Sequence, residues 1–226
     1  MKNAGASDSF GQDGDSSRVS LFPDLKITAI GIHFEDEARA AGYGFIAGLD
    51  EVGRGCIAGP VVAAACILDL SKPLPQGIND SKKLTAKLRE EITEELKECV
   101  IAYSIGQVEA DEIDRINILE ATKKAMLIAI AALDPCADFL LIDALHLKQS
   151  PLPQKGIIKG DSISVSIAAA SILAKTYRDN LMVQHDQTYP EYGFARHKGY
   201  GAATHYEALR KHGACPLHRK TFRGVI

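Results

Sequence analysis

The sequence predicts an α/β fold in which helices flank a mixed β-sheet. Residues 45–50 and 60–68 form continuous apolar runs, which are typical of central strands covered on both faces. Two further apolar runs, 100–108 and 139–143, are separated from these by segments of helical periodicity. Three strands before the long crossover, followed by alternating helix and strand, favour a mixed sheet over a purely parallel one.

The composition is that of an ordinary globular chain. Its 226 residues are 46 % hydrophobic and 24 % charged, which excludes a disordered or collagen-like chain. A chain of this length can bury a full core without disulfide bonds or structural metal ions. The five cysteines include no C-x-x-C pair, which argues against a structural zinc site or a secreted disulfide framework. Residues 1–20 lack an apolar signal-peptide core, and no run suits a membrane span. We therefore expect a cytoplasmic protein without a membrane partner.

The chain divides into three parts. Residues 1–20 are rich in Ser, Gly and Asp with little to bury, so we expect a disordered leader. The α/β domain is predicted over 21–188, beginning with a short helix at 35–41 that ends at Gly42. A smaller, basic helical segment is predicted over 189–226.

One helix is predicted between the second and third strands. Thr85 is a plausible N-cap, and the helix runs through Glu98. Leu88, Ile92 and Leu96 recur at four-residue spacing, which predicts that these three side chains face the core.

Two further helices flank the fourth strand. A long amphipathic helix is predicted over 111–133, with Glu120 and Lys124 as an exposed i,i+4 ion pair. The helix predicted over 163–179 is rich in alanine, and such small side chains allow close approach to a sheet.

Charge is distributed unevenly along the chain. Residues 191–226 contain seven Lys or Arg against two Glu, a net +5, which leaves −8 on the other 190 residues. An acidic body with a basic end suits a polyanionic partner, with carboxylates for metal and cations for phosphate. A solvated tail is the alternative interpretation.

Four acids are candidates for metal binding because they lie at element ends. Asp50 and Glu51 close the first strand, Asp143 closes the fourth, and Asp161 precedes a helix. Ligands bind at the carboxyl ends of strands in open α/β sheets. Adjacent strand residues point to opposite faces, so Asp50 and Glu51 converge only at a bend, which Gly53 permits. Hard divalent cations relieve such clustered charge, and two of them can drive phosphodiester hydrolysis.

Three other motifs allow two interpretations each. The glycine loop 53–55 is either a tight turn or a backbone surface for a phosphate or ribose hydroxyl. Ser81 and Lys82 either begin a helix in solvent or contact a nucleic-acid backbone. Tyr200, flanked by glycines, either stacks on a base or sugar or packs within its loop.

Taken together, the motifs resemble prokaryotic ribonuclease HII. The resemblance covers nearly all of 44–222 in the family's order and rests on these blocks: LDEVGRG (49–55), AGPVVAAA (58–65), DSKKLT (80–85), LLIDAL (140–145), KGDSISVSIAAASILAKTYRD (159–179), HKGYG (197–201) and HRKTF (218–222). It implies an RNase H-like fold with a five-stranded mixed sheet. It also implies two-metal hydrolysis, with Mn²⁺ or Mg²⁺, of RNA in RNA–DNA hybrids and on the 5′ side of ribonucleotides embedded in duplex DNA. The products would carry 5′-phosphate and 3′-hydroxyl ends.

The resemblance also assigns roles to residues. The metal-binding, catalytic carboxylates would be Asp50, Glu51, Asp143 and Asp161. The substrate-binding set would comprise Gly53, Arg54 and Gly55 at the 2′-hydroxyl, Tyr200 stacking at the RNA–DNA junction, and Ser81 and Lys82 at the backbone. The basic C-terminal segment adds Arg196 and Lys198 as phosphate contacts, and we expect a monomer.

Two departures from the family pattern lie beside the predicted site. Cys56 stands where the family often has proline, and Ala144 stands where glycine is common. The related ribonuclease HIII usually carries an extra N-terminal domain, so the short leader favours HII. Two alternative functions remain: a non-catalytic nucleic-acid binder with this fold, and a small-nucleotide enzyme in which residues 53–55 cradle a phosphate.

Overall fold

The structure, a computed structural model, describes residues 30–78, 81 and 84–225. The predicted leader at 1–20 and Lys82 lie outside the described residues. The elements are, in chain order, α1 (His33–Ala40), β1 (Ile46–Val52), β2 (Val61–Leu68), α2 (Ala86–Cys99), β3 (Val100–Val108), α3 (Ala110–Ile116), α4 (Ile118–Ala131), β4 (Phe139–Asp143), β5 (Gln154–Ile157), α5 (Val165–Thr188), α6 (Phe194–His197) and α7 (Ala203–His212).

The sheet is five-stranded and mixed, as predicted. Its strand order is β3-β2-β1-β4-β5, with β1 antiparallel to β2 and parallel to β4. The short connection between β1 and β2 makes a hairpin, whereas α3 and α4 carry the chain across to β4. As a result, β1 and β4 end at the same edge of the sheet.

Helices cover both faces of the sheet. One core lies between the sheet and α4, where Leu49, Ala63 and Met126 are fully buried. The other lies between the sheet, α2 and α5, around Ala64 and Ile92. All eight residues of β2 are buried, which explains why its sequence is continuously apolar.

Three details of the predicted helices are wrong. Leu88 on α2 is 40 % exposed, because a four-residue step drifts by about 40° around a helix and moves it off the buried stripe. The predicted long helix breaks at Asn117, whose φ of 69° turns the chain and whose side chain caps α4. Glu120 therefore pairs with Lys123 at 2.7 Å, and Lys124 pairs with Glu112 on α3 at 2.6 Å.

Two elements of the α/β domain, α5 and β5, differ from what the periodicity of the sequence predicts. Helix α5 continues to Thr188 rather than ending at Asp179, because Met182 on its last turns is buried against the C-terminal segment. The edge strand β5 contains a single buried residue, Ile157, and no alternating pattern, so only the family resemblance indicated it.

The C-terminal segment folds into α6 and α7 over a small core that it shares with Ile57, Ala58 and Met182. Tyr192, Phe194 and Leu209 are buried there. Arg219, counted among the basic residues of this segment, is fully buried and donates to the backbone carbonyls of Gly59 and Arg54, so its charge does not face solvent. No helix in the described ranges is long and apolar enough to cross a bilayer.

Candidate active site

The sheet topology brings two of the predicted acids to one edge. Leu49 on β1 pairs with Ile142 on the parallel neighbour β4. The next residue on each strand, Asp50 and Asp143 respectively, therefore lies beside the other. Asp50 is 5 % exposed. Burial, the Glu51 carboxylate and the Asp143 carboxylate all raise the pKa of Asp50 well above its ordinary value, while a hydrogen bond from Ser171 opposes this rise. Two neighbouring carboxylates therefore act electrostatically on Asp50 at this edge.

The acid pair on β1 lies on a regular strand. Glu51 keeps its register opposite Ala63, and the chain turns only at Gly53, whose φ is 91°. Asp50 Oδ1 accepts a hydrogen bond from the Glu51 amide at 2.8 Å. The expected bend between the two acids is therefore absent, although both residues line one cavity.

One carboxylate oxygen of Glu51 has a hydrogen-bond partner among the described residues, and the other has none. Its Oε1 accepts from Arg54 Nη1 at 2.9 Å, whereas its Oε2 is buried without a hydrogen-bond partner. A buried carboxylate oxygen left unpaired beside other carboxylates is unfavourable, and a bound cation would satisfy it. The chemistry of the carboxylate oxygens at this edge therefore suits a hard divalent cation.

The other two acids lie at the junction between β4 and α5. Asp143 Oδ1 accepts from the Gly160 amide at 2.7 Å, which ties the end of β4 to the turn Gly160–Ser162. Asp161 in that turn is buried, and its Oδ1 accepts from the Ser162 hydroxyl at 3.3 Å. Each of the four carboxylates thus accepts a hydrogen bond from the protein. Among the described residues, no three His, Cys, Asp or Glu side chains are drawn together tightly enough to hold a metal ion.

A cavity of about 200 Å³ gathers most of the predicted site. Its lining comprises Asp50, Glu51, Val52, the loop Gly53, Arg54 and Gly55, together with Ser81, Ser171, Lys175 and Tyr200. Asp143 and Asp161 are not among the lining residues. Segments far apart in sequence thus converge on one concave surface beside the acids.

Sequence reasoning missed three of the residues that line this cavity: Val52 on β1, and Ser171 and Lys175 on α5. Ser171 Oγ lies 2.9 Å from Ser81 Oγ and also reaches Asp50. Lys175 pairs with Asp179 at 2.6 Å, and its ammonium lies 5.9 Å from the centre of the Tyr200 ring. The i,i+4 spacing of Ser171 and Lys175 in an alanine-rich helix was the available signal, because it places both on one face.

Tyr200 lines the cavity, and a hydrogen bond to its backbone carbonyl fixes its position. The residue is 42 % exposed. Its carbonyl lies 2.8 Å from His205 Nδ1, and since a carbonyl can only accept, that nitrogen is the donor. Burial lowers the pKa of His205 to about 4, so this imidazole is neutral at pH 7 and keeps the contact. An exposed ring on a fixed backbone suits stacking.

The two predicted phosphate contacts lie elsewhere. Arg196 is exposed on α6, and Lys198 is half-buried with its ammonium donating to the Ala195 carbonyl. Lys198 lines a different, smaller cavity with Arg89 and Asp179. The structure therefore does not bring these cations to the acid cluster.

A family comparison decides the identity of the chain. The sequence model of the family described as Ribonuclease HII matches residues 47–225. The chain belongs to the ribonuclease HII family. It is accordingly a metal-dependent endoribonuclease that acts on RNA in RNA–DNA hybrids.

Individual relatives agree with the family match. The chain is 57 % identical to Ribonuclease HII of Desulfitobacterium hafniense over 81 % of its own length and 70 % of that protein's. It is 50 % identical to Ribonuclease HII of Syntrophotalea carbinolica over 92 % of its length and 98 % of that protein's. Among solved structures, ribonuclease H2 from Pyrococcus horikoshii matches with a TM-score of 0.67 at 27 % identity, covering 80 % of this chain and 95 % of that one. The predicted RNase H-like fold and family are confirmed.

The two departures from the ribonuclease HII pattern differ in their consequences. Ala144 has a φ of 49°, in the left-handed region where glycine is favoured, so this chain carries backbone strain directly after Asp143. Cys56 is fully buried, and its Sγ lies 3.7 Å from the Lys198 carbonyl. Burial raises the pKa of the Cys56 thiol, so it remains protonated.

Proposed function

We propose that this endoribonuclease also cuts duplex DNA on the 5′ side of an embedded ribonucleotide, leaving 5′-phosphate and 3′-hydroxyl ends. One observation carries the proposal: a single cavity is lined by two acids of the cluster, the backbone loop 53–55 and the exposed ring of Tyr200. Acids, a sugar-reading backbone and a stacking ring are the parts that recognition and cleavage of one ribonucleotide require.

The carboxylates that would hold the metal ions are Asp50, Glu51, Asp143 and Asp161. The unpaired Glu51 Oε2 supports this assignment, and so does the pKa of Asp50, which is raised first by burial and then by the Glu51 and Asp143 carboxylates, because a cation would stabilise the charged carboxylates. Carboxylate oxygens suit either Mn²⁺ or Mg²⁺. Two such ions, when bound, supply an activated water and a stabilised leaving oxygen.

The loop 53–55 would read the 2′-hydroxyl through its backbone. Gly53 is required here, since a Cβ at this position would lie 2.3 Å from Arg178 Nε and the φ of 91° disfavours any other residue. Because glycine has no side chain, it also lets a ribose approach the backbone of the loop closely. The 2′-hydroxyl, which can both donate and accept, is the group that distinguishes the cut nucleotide from DNA.

Side chains around the cavity would orient the phosphodiester. Lys175 contributes a positive charge that its ion pair with Asp179 holds in place, and Ser81 contributes a hydroxyl. Tyr200 would pack on the deoxyribose that follows the ribonucleotide. The cut position would thus be selected by the sugar sequence rather than by bases.

The C-terminal segment 189–226 would extend the nucleic-acid contact, whereas 21–188 carries the carboxylates. Arg196 and Lys198 in this segment would contact phosphates outside the cavity, and Lys82 would also contact the nucleic-acid backbone. We further propose a monomer in the cytoplasm, a reducing compartment that suits the five free cysteines.

The test uses a DNA duplex with one end-labelled ribonucleotide-containing strand. We expect one cut on the 5′ side of the ribonucleotide with Mg²⁺ or Mn²⁺, no cut with a chelator, and no cut in all-DNA duplex. Cleavage of a full hybrid without cleavage of this substrate would refute the proposal. Binding without any cleavage would favour a non-catalytic binder, and release of mononucleotide phosphate alone would favour a small-nucleotide enzyme.

A further inference from the structure

Two fully buried arginines lie beneath the loops that line the acidic cavity. Arg178 extends from α5, and Arg219 lies after α7. Each donates three hydrogen bonds to backbone carbonyls of the surrounding loops. Burial lowers the pKa of Arg219 only to about 10, so its charge persists at pH 7. Burying a cation is costly unless its donors are satisfied, and here backbone groups satisfy them.

Arg178 connects two loops that come from different parts of the chain. Its Nε donates to the Pro60 carbonyl at 2.9 Å and its Nη2 to the Ala58 carbonyl at 3.1 Å, both in the segment that follows the glycine loop. Its Nη1 donates to the Lys198 carbonyl at 2.8 Å, two residues before Tyr200. Arg178 also packs directly against Gly53, since a Cβ there would lie 2.3 Å from its Nε. One planar guanidinium therefore contacts the glycine loop, bonds the residues that follow it, and joins them to the segment that would stack on the next sugar.

Direct backbone contacts close the same junction. The amides of Ile57 and Ala58 both donate to the Gly199 carbonyl, at 2.9 and 3.2 Å. A Cβ at Gly199 would lie 2.3 Å from the Ala58 carbonyl oxygen, so the two segments are as close as backbones can be. Arg219 acts within the first segment only, where it donates to the Arg54 carbonyl at 3.1 Å and to the Gly59 carbonyl.

We propose that Arg178 is a specificity-determining positioning residue, which fixes the distance between the loop 53–55 and Tyr200 and thereby sets the preference for a single ribonucleotide. This inference rests on the proposed function. A full hybrid offers a 2′-hydroxyl at every position, so it tolerates a shift between the two loops. Recognition of a single ribonucleotide requires two elements to lie one nucleotide apart. These are the loop 53–55, which would read the ribose, and Tyr200, which would stack on the deoxyribose that follows.

The forked, planar shape of the guanidinium explains why arginine occupies this position. The guanidinium donates to three carbonyls at once, and its donors have a fixed planar geometry. A lysine ammonium on a flexible stem does not reproduce this geometry. Arg178→Lys keeps the positive charge and removes the fork. This variant therefore separates positioning from electrostatics.

The measurement is the ratio of kcat on a single-ribonucleotide duplex to kcat on a full hybrid. We expect Arg178→Lys to lower this ratio roughly tenfold or more, because small misplacements of reacting groups have large kinetic effects. Met126→Ala, which opens a cavity in the core on the α4 side, serves as a control for reduced stability and should leave the ratio unchanged. Thermal unfolding of all variants is recorded in parallel.

Two results would overturn the inference: a wild-type ratio for Arg178→Lys, or an equal loss on both substrates. If Arg178→Lys does not fold, Gly199→Ala decides by the same ratio, since its Cβ pushes the two loops apart without touching the guanidinium. Wild-type protein that cuts the hybrid but not the single-ribonucleotide duplex would refute the proposed function itself. That outcome is independent of either variant.

Discussion

Gly48 on β1 controls how closely α5 approaches the acid cluster. A Cβ there would lie 2.1 Å from the Ser166 carbonyl carbon and 2.2 Å from its oxygen, whereas ordinary contacts begin at 3.4 Å. Gly48→Ala would therefore displace α5 from the sheet by about 1.3 Å. Asp50 lies two residues further along the same face and is hydrogen-bonded by Ser171 of α5, so the displacement would also disturb the site.

The expected effects of Gly48→Ala are large on both stability and activity. Overpacking against backbone atoms should cost about 3 kcal/mol or more, and a chain of this length should lose about 6–12 °C in Tm. A misplacement of about 1 Å near the reacting groups should lower kcat roughly a hundredfold. Urea unfolding and single-turnover cleavage of a hybrid measure the two effects.

Gly31→Ala is the matched control for this substitution. A Cβ at Gly31 meets no atom within 4 Å, so the same chemical change should alter stability and kcat little. The reasoning would be refuted if Gly48→Ala were as stable and as active as Gly31→Ala. In that case the α5 backbone would not define the position of the site.

Three further predictions concern single residues around the site. Ala144→Gly should stabilise the protein by about 0.5–1 kcal/mol in urea unfolding, because relief of the left-handed φ of 49° exceeds the entropy that glycine adds to the unfolded chain; a loss of stability would contradict this. Tyr200→Ala should weaken cleavage at a single ribonucleotide more than Tyr200→Phe, since stacking requires the ring and not the phenol; equal activity of the Ala variant and the wild type would show that Tyr200 does not stack on the substrate. Replacing Arg196 and Lys198 with Gln should reduce the slope of log K against log salt by about 0.9 for each phosphate that is no longer neutralised, and an unchanged slope would mean that these cations only solvate the surface.

Much of the fold was predictable because β-strands buried on both faces have a distinctive sequence. The bounds of β3 and β4 agree with the predicted 100–108 and 139–143, and β2 differs by one residue. The break at Asn117 was not predictable, because the apolar periodicity continues through it and a left-handed residue leaves no pattern of its own. The edge strand β5 is too short and too polar for a periodic signal.

The candidate site was predictable where strand ends dictate position. Asp50 and Asp143 were predicted to lie at the carboxyl ends of their strands, and they meet because β1 and β4 are parallel neighbours in the sheet. The contributions of α5 were harder to predict, since the i,i+4 spacing of Ser171 and Lys175 places both on one helix face but does not indicate that this face meets the acids. Arg219 looked like a surface cation, because charge counts carry no information about burial.

The central claim is that the carboxylates perform the chemistry while other groups bind the nucleic acid. Asp143→Asn tests it most directly, because the amide oxygen can still accept from the Gly160 amide while the negative charge is removed. Asp36→Asn, an exposed position on α1, is a control for the same change of charge. Hybrid affinity and hybrid cleavage are measured with both variants. We predict that Asp143→Asn binds within about threefold of wild type but cleaves roughly a thousandfold more slowly, as expected when several kcal/mol of transition-state stabilisation are removed. Wild-type cleavage by this variant at saturating Mg²⁺ would contradict the claim.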